Sequence, residues 1–86
     1  MSYKLVFTKQ AQKDLEKIKK SNLKEKALLL LRSVCEDPLQ PPIEKLTGLE
    51  FTYSKRINLQ HRLVYQIYEE EQTVKVLRMW THYGDN

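Results

Sequence analysis

The chain has 86 residues, of which 41% are hydrophobic and 30% are charged, and its formal net charge is +4. This length and composition predict one globular domain, residues 1–86, and argue against a disordered chain. The longest apolar run, residues 27–31, is far shorter than the roughly 20 residues of a membrane span. With no apolar segment after Met1 and one cysteine, we expect a cytoplasmic protein without a signal peptide or membrane contact. The positive charge favours an anionic partner, either nucleic acid or an acidic protein segment.

The first half of the chain predicts one strand followed by two helices. Residues 3–7 carry β-forming side chains and read as a strand. Thr8 suits the N-cap of a first helix, in which apolar side chains recur at helical spacing over residues 11–18. Residues 21–22 break this helix and can cap a second one, which has a broad apolar face. Pro38 disfavours helical geometry in the residue before it, so the second helix is expected to end there.

The second half predicts a connector and three strands. Residues 38–48 contain three prolines together with Glu44. Strands are expected over residues 51–57, 62–68 and 74–80, and the links between them are short enough for hairpins. The resulting order, β-α-α-β-β-β, predicts an α+β domain in which two N-terminal helices pack on one face of a twisted antiparallel sheet.

Strand alternation predicts which side chains lie on the face of the sheet that the helices leave open. Arg62 falls on this face of its strand, and Arg56 falls on the polar side of the preceding strand. Arg78, Trp80 and His82 alternate along the last strand and share one side. If the polar sides coincide, Arg56, Arg62 and His82 meet on one open surface.

These residue types can cleave RNA, which carries its own nucleophile in the 2′-hydroxyl group. A base must take the 2′ proton, an acid must protonate the leaving 5′ oxygen, and positive charge must stabilise the phosphate. Glu44 suits the base and His82 suits the acid, since imidazole titrates near neutral pH. Arg62 suits a bidentate phosphate contact, and Tyr83 suits a phosphate contact or stacking on a base. The reaction needs no metal or cofactor, and no Cys/His cluster has metal-ligand spacing.

Each assignment has a simpler structural alternative. A glutamate in a proline-rich loop is most often solvated, and an arginine on a strand is most often an ion-pair partner. A histidine near a chain end is commonly incidental, and Tyr83 can be a packing residue. What favours chemistry is that all of these residues fall where one sheet face would gather them.

The chain also resembles the YoeB/Txe group of RelE-type bacterial toxins over essentially its whole length. The segments that carry the resemblance are residues 44–48, 54–57, 61–65 and 81–83. It implies a RelE-like fold and the toxin of a type II toxin–antitoxin pair. Such toxins are metal-independent endoribonucleases that cut mRNA in the ribosomal A site in the bacterial cytoplasm and so inhibit translation. Their cleavage leaves a 2′,3′-cyclic phosphate.

The resemblance also implies residue roles. Glu44 matches the general base, His82 the general acid, Arg62 the residue that stabilises the transition-state phosphate, and Tyr83 an aromatic that positions substrate. Arg56 matches a basic residue of the active face.

Trp80 stands where related toxins often carry an arginine. Arg78 or Lys55 is the expected replacement for that phosphate contact, so both join Arg56 as predicted substrate-binding residues.

The implied partners are the ribosome with its mRNA and a cognate antitoxin similar to YefM or Axe, whose acidic disordered segment folds over the toxin. A homodimer is also compatible with the resemblance. Two other functions stay open: a non-catalytic toxin on the same scaffold that inhibits DNA gyrase, and an RNA-binding protein that blocks translation by occupancy.

Overall fold

The computed structural model describes residues 2–80 of the chain. In chain order its elements are β1 (Lys4–Phe7), α1 (Lys9–Lys19), α2 (Lys24–Glu36), β2 (Glu44–Lys45), β3 (Thr52–Arg56), β4 (Arg62–Tyr68) and β5 (Thr73–Arg78). The strands form one sheet in the order β1-β5-β4-β3-β2. The predicted α+β class, with two N-terminal helices followed by a meander, is confirmed.

The sheet is mixed, whereas the sequence predicted an antiparallel one. β1 runs parallel to β5, with Lys4 opposite Thr73 and Phe7 opposite Val76. The pairs β2–β3, β3–β4 and β4–β5 are antiparallel, as expected from short hairpin links. No turn joins β1 to β5, so the packing of α1 and α2 sets the direction of β1. β2 was not predicted because a two-residue strand is too short to show a period.

The hydrogen bonds of Thr8 confirm the predicted N-cap of α1. The Thr8 hydroxyl accepts from the backbone N–H of Ala11 at 3.0 Å and donates to the carbonyl of Leu77 at 3.0 Å. This N-cap therefore also joins the start of α1 to β5. The predicted cap of the second helix at residues 21–22 is wrong: the N-cap of α2 is Leu23, which makes no side-chain cap hydrogen bond, and the Ser21 hydroxyl accepts from the backbone N–H of Leu23 itself at 3.0 Å.

The core lies between the helices and one face of the sheet. Its buried hydrophobic residues are Ala11, Ile18, Ala27, Leu31, Val34, Ile57, Leu63, Tyr65, Ile67, Val74, Val76 and Met79. Tyr65 is fully buried, and its hydroxyl donates to the carbonyl of Pro38 at 2.7 Å. Burial raises the pKa of Tyr65 well above its usual value, so the phenol stays a donor. This bond ties the proline-rich connector to the centre of the sheet.

A β-bulge changes the alternation at the end of β5. Tyr65 lies opposite Val76, but Val64 lies opposite Arg78, which leaves Leu77 as the extra residue. Val76 and Met79 are both fully buried, so the inward positions are three residues apart here instead of two. The strand ends at Arg78, two residues earlier than predicted. Within residues 2–80, no helix is long and apolar enough to cross a membrane.

Candidate active site

The register of β2, β3 and β4 gathers polar side chains on the sheet face that the helices leave open. Glu44 lies opposite Ser54, and Arg56 lies opposite Arg62. Directly opposed residues share a face, and Ser54 precedes Arg56 by two residues, so all four point the same way. The predicted coincidence of Arg56 and Arg62 is therefore confirmed, and Glu44 reaches the same surface through β2.

Glu44 and Arg62 form the central ion pair of this surface. Arg62 Nη1 donates to Glu44 Oε1 at 2.7 Å and also lies 3.3 Å from the hydroxyl oxygen of Ser54. The Arg62 side chain is 23% exposed, whereas that of Glu44 is 65% exposed. The guanidinium is thus oriented by two partners, while the carboxylate stays accessible to a ligand. Because the Glu44 side chain is mostly exposed, the pair contributes little to stability, and its main effect is on orientation.

A shallow groove of about 290 Å³ opens beside this pair. One part of its lining is polar and includes Glu44, Ser54, Arg56 and Arg62. The other part is apolar and comes from Leu30, Pro42 and Ile43. Such a groove can take a ligand that has both an anionic group and a flat apolar portion, as a nucleotide does. Among residues 2–80, no three His, Cys, Asp or Glu side chains gather into a metal-binding group.

Lys55 also touches the groove, but its ammonium is engaged in the protein. The residue lies opposite Leu63, on the core side of β3, and is only 4% exposed. Lys55 Nζ donates to the carbonyl of Gln40 at 2.8 Å and lies 3.4 Å from that of Pro42. Burial lowers the pKa of Lys55. Its evident contact is with the connector that leads to Glu44, rather than with the open face.

Arg78 is held by a buried acid on α1. Arg78 Nε donates to Asp14 Oδ2 at 2.9 Å, although the register places Arg78 opposite Val64 of the open face. Asp14 Oδ2 also accepts the backbone N–H groups of Met79 at 2.9 Å and Trp80 at 3.2 Å. Asp14 is fully buried. Burial by itself raises the pKa of Asp14, but the bonds from Met79, Arg78 and other donors outweigh it and lower that pKa.

Asp14 is a residue that the sequence reasoning missed as part of this region. Its position is three residues after Ala11 and four before Ile18, both fully buried in α1. Helical spacing therefore puts a carboxylate on the buried stripe. An acid at such a position requires buried donors, and this was the signal that could have identified it.

Trp80 packs on His61 in the β3–β4 turn, and His61 is the residue directly before Arg62 of the ion pair. The rings of His61 and Trp80 stack with centroids 4.0 Å apart and planes 19° from parallel. His61 directly precedes Arg62, and its backbone N–H donates to Asn58 Oδ1 at 2.7 Å. Trp80 lies beyond the end of β5 and packs against the core, so the predicted strand alternation does not extend to it.

Two predicted catalytic residues, His82 and Tyr83, lie outside the described residues. Of the predicted site, the structure thus brings together Glu44, Arg56 and Arg62. It places Lys55 and Arg78 at the edges of the region, each bonded to another part of the protein.

The sequence profile of one family, described as the ParE toxin of the type II toxin–antitoxin system parDE, matches residues 5–85. Among the curated proteins, none matches this sequence. Several solved structures, however, are similar to it over nearly its whole length.

A YoeB/ParE toxin from Agrobacterium tumefaciens is 29% identical; the alignment covers 93% of this chain and 99% of that one, with a TM-score of 0.85. The YoeB dimer from Staphylococcus aureus is 29% identical, with 96% and 100% covered and a TM-score of 0.82. The intact RelBE toxin–antitoxin complex from E. coli is 29% identical, with 94% and 98% covered and a TM-score of 0.81. The chain therefore belongs to the ParE toxin family of type II toxin–antitoxin systems, within the superfamily that includes the YoeB and RelE toxins.

Proposed function

We propose that this toxin is a metal-independent endoribonuclease that cleaves mRNA in the ribosomal A site and thereby inhibits translation. The observation that carries the proposal is the Glu44–Arg62 pair at 2.7 Å, on the same open face as Arg56. A carboxylate and a cation this close together can act on a 2′-hydroxyl and on the phosphate beside it.

Glu44 serves as the general base in this proposal. Its carboxylate is mostly exposed, so a 2′-hydroxyl can reach it from the groove. Arg62 Nη1 orients the carboxylate in the free protein, and the guanidinium can turn its N–H groups to the phosphate as charge develops there. Removal of a general base of this kind typically lowers a rate by about 10²–10⁴-fold.

His82 serves as the general acid and Tyr83 positions the substrate. The support is the short stretch of chain between Trp80 and His82. Because His82 is two residues after Trp80, their Cα atoms can be no more than about 7 Å apart. Trp80 is stacked on His61, the residue before Arg62. We propose that the imidazole of His82, two residues after Trp80 in the chain, protonates the leaving 5′ oxygen of a phosphate bound at Arg62.

The three predicted substrate-binding cations contribute differently. Arg56 is exposed and directly opposite Arg62, so it supplies a second positive charge for the RNA backbone. Lys55 and Arg78 are bonded to the connector and to Asp14, respectively. We propose that either one reaches a phosphate only by exchanging these partners on the ribosome.

The proposed partners are an antitoxin and the ribosome. The E. coli RelBE structure is a toxin–antitoxin complex, and the S. aureus YoeB structure is a dimer. The net charge of +4 fits an antitoxin whose inhibitory segment is acidic, and it also fits ribosomal RNA. By the same likeness, self-association into a homodimer is proposed.

The second candidate is the non-catalytic toxin on the same scaffold, which inhibits DNA gyrase instead of cutting RNA. It stays a candidate because the family model that matches this chain is that of the ParE toxin and not that of a named nuclease. Primer extension on an mRNA in a translating bacterial extract separates the two. The nuclease predicts new ends within codons, lost in Glu44→Ala and in His82→Gln. The non-catalytic toxin predicts no new ends and undiminished toxicity of His82→Gln. Naked RNA is not a suitable substrate, since the ribosome can supply the geometry of the reacting groups.

A further inference from the structure

We propose that Asp14 and His61 are positioning residues that hold Trp80 by its backbone and by its ring, and so fix where the chain leaves the sheet ahead of His82 and Tyr83. This inference rests on the proposed function. Two independent contacts support it: Asp14 binds the backbone of Trp80, and His61 stacks on its ring. We call this three-residue arrangement the Trp80 clamp.

The first half of the clamp is a buried carboxylate that binds backbone. Asp14 Oδ2 accepts the N–H groups of both Met79 and Trp80, and Asp14 Oδ1 accepts from Gln10 Nε2 at 3.1 Å. These N–H groups follow the end of β5, where no ladder continues to satisfy them. The carboxylate therefore replaces the sheet as their partner, and it is built on a rigid helix that the Thr8 cap also joins to β5.

The second half of the clamp connects Trp80 with the catalytic pair. The β3–β4 turn is tight, because the carbonyl of His61 accepts the N–H of Ile57 at 2.9 Å and that of Asn58 at 3.2 Å. The imidazole is thereby presented to the Trp80 indole, and the next residue is Arg62. Trp80 thus contacts both the turn that precedes Arg62 and the helix that carries Asp14.

The clamp has a consequence for rate because a general acid must lie within hydrogen-bond reach of the leaving oxygen. A displacement of about 1 Å caused by a change away from the reacting atoms can lower a rate about 100-fold. His82 is separated from the clamped residue by one residue only. Loss of either half of the clamp is therefore expected to lower the rate of cleavage without weakening binding to the ribosome.

The kinetic test measures single-turnover cleavage of mRNA on programmed ribosomes at saturating toxin. Asp14→Ala, Asp14→Asn and His61→Leu are compared with the wild-type protein. Val34→Ala, at a fully buried position of α2 that is not part of the Trp80 clamp, serves as the control for loss of stability. Glu16→Gln, at an exposed position of α1, is the neutral control. We expect a loss of about 10–100-fold in the cleavage rate of Asp14→Ala and His61→Leu, a smaller loss in Asp14→Asn, and unchanged ribosome affinity.

Stability is separated from positioning by the melting temperature. If Val34→Ala lowers the melting temperature as much as Asp14→Ala but cleaves within about threefold of wild type, positioning is supported. Equal losses of cleavage in both variants, or wild-type rates in Asp14→Ala and His61→Leu, overturn it. Absence of cleavage by the wild-type protein overturns the proposed function instead, so the two failures are distinct.

A spectroscopic test reports the clamp itself, without cleavage. Trp80 is the only tryptophan, so its emission can be excited selectively. A stacked imidazole quenches indole emission, most strongly when it is protonated. We expect stronger emission in His61→Leu, and red-shifted emission in Asp14→Ala as the indole becomes solvated, with His82→Gln as the control for the second histidine. Identical spectra in wild type, His61→Leu and Asp14→Ala would contradict the clamp, whatever the cleavage assay shows.

Discussion

Glu44 and Arg62 meet across three strands, with Glu44 Oε1 2.7 Å from Arg62 Nη1 and Ser54 of the middle strand beside them. Glu44 belongs to the edge strand β2, which is only two residues long and is preceded by the proline-rich connector. The contact therefore depends on the connector being fixed. Tyr65 and Lys55 supply this, through their bonds to the carbonyls of Pro38 and Gln40.

The first prediction concerns Glu44. Glu44→Gln is isosteric and removes only the charge and the basicity. Because the Glu44 side chain is 65% exposed, the free energy of unfolding should change by no more than about 0.5 kcal/mol. Cleavage on the ribosome should fall by about 10²–10⁴-fold. Urea unfolding and single-turnover cleavage measure the two quantities, and Glu16→Gln is the matched control. A large loss of stability in Glu44→Gln would show that the residue is structural.

The second prediction concerns Arg62. Arg62→Lys keeps the charge but loses the planar fork that contacts Glu44 and Ser54. We expect a loss of about 100-fold in cleavage, because the developing phosphate charge loses an oriented donor. Arg32→Lys, on α2, is the control for the same exchange elsewhere. If Arg62→Lys cleaves at the wild-type rate, only the charge at this position matters and the bidentate role is wrong.

The third prediction concerns Arg56, which lies directly opposite Arg62. Like charges at opposed positions destabilise a sheet, so Arg56→Thr should raise the free energy of unfolding by about 0.2–1 kcal/mol at low ionic strength. The gain should shrink as salt is added. Cleavage should decrease in the same variant, because one cation for the RNA backbone is lost. A decrease in both stability and cleavage would indicate a structural role for Arg56 instead.

The fourth prediction concerns acid stability. The pKa of Asp14 is lower in the folded protein than its ordinary 3.8. As the pH falls below 3.8, the unfolded chain therefore binds a proton at Asp14 before the folded protein does. The contribution of Asp14 is therefore complete above the unfolded pKa and is lost as the pH falls through the folded pKa. Unfolding free energies of wild type and Asp14→Asn should differ most near neutral pH and converge in acid. A difference that does not depend on pH would contradict this.

Much of the fold could be predicted because its signals are local. Helical spacing, the Thr8 cap and the proline after α2 indicated both helices, and short links indicated the meander. The parallel pairing of β1 with β5 could not be predicted, since no turn joins them. The bulge at Leu77 could not be predicted either, because it reflects packing at the end of β5 and not a pattern within the strand.

The shared face of the site residues could be predicted where the two-residue alternation of a strand applies, whereas Glu44, in the connector, was expected from its chemistry and from the resemblance alone. Arg56 and Arg62 lie in regular strands, and their shared face followed from alternation. Lys55 occupies a core-facing position of the same strand, where a lysine is unexpected, and only the connector carbonyls explain it. Asp14 lies on the buried stripe of α1, but nothing local to α1 shows that its donors come from residues 78–80.

In the proposed reaction, the 2′-hydroxyl of the mRNA attacks its own phosphate with Glu44 as the base. The most direct measurement uses ribosomes carrying an A-site codon with one 2′-deoxynucleotide at the mapped cleavage position. We predict that the wild-type toxin cuts the all-ribose codon to a 2′,3′-cyclic phosphate and leaves the 2′-deoxy codon intact at that position. Cleavage of the 2′-deoxy codon at the same bond and rate would rule out attack by the 2′-hydroxyl, because an external nucleophile would then be required.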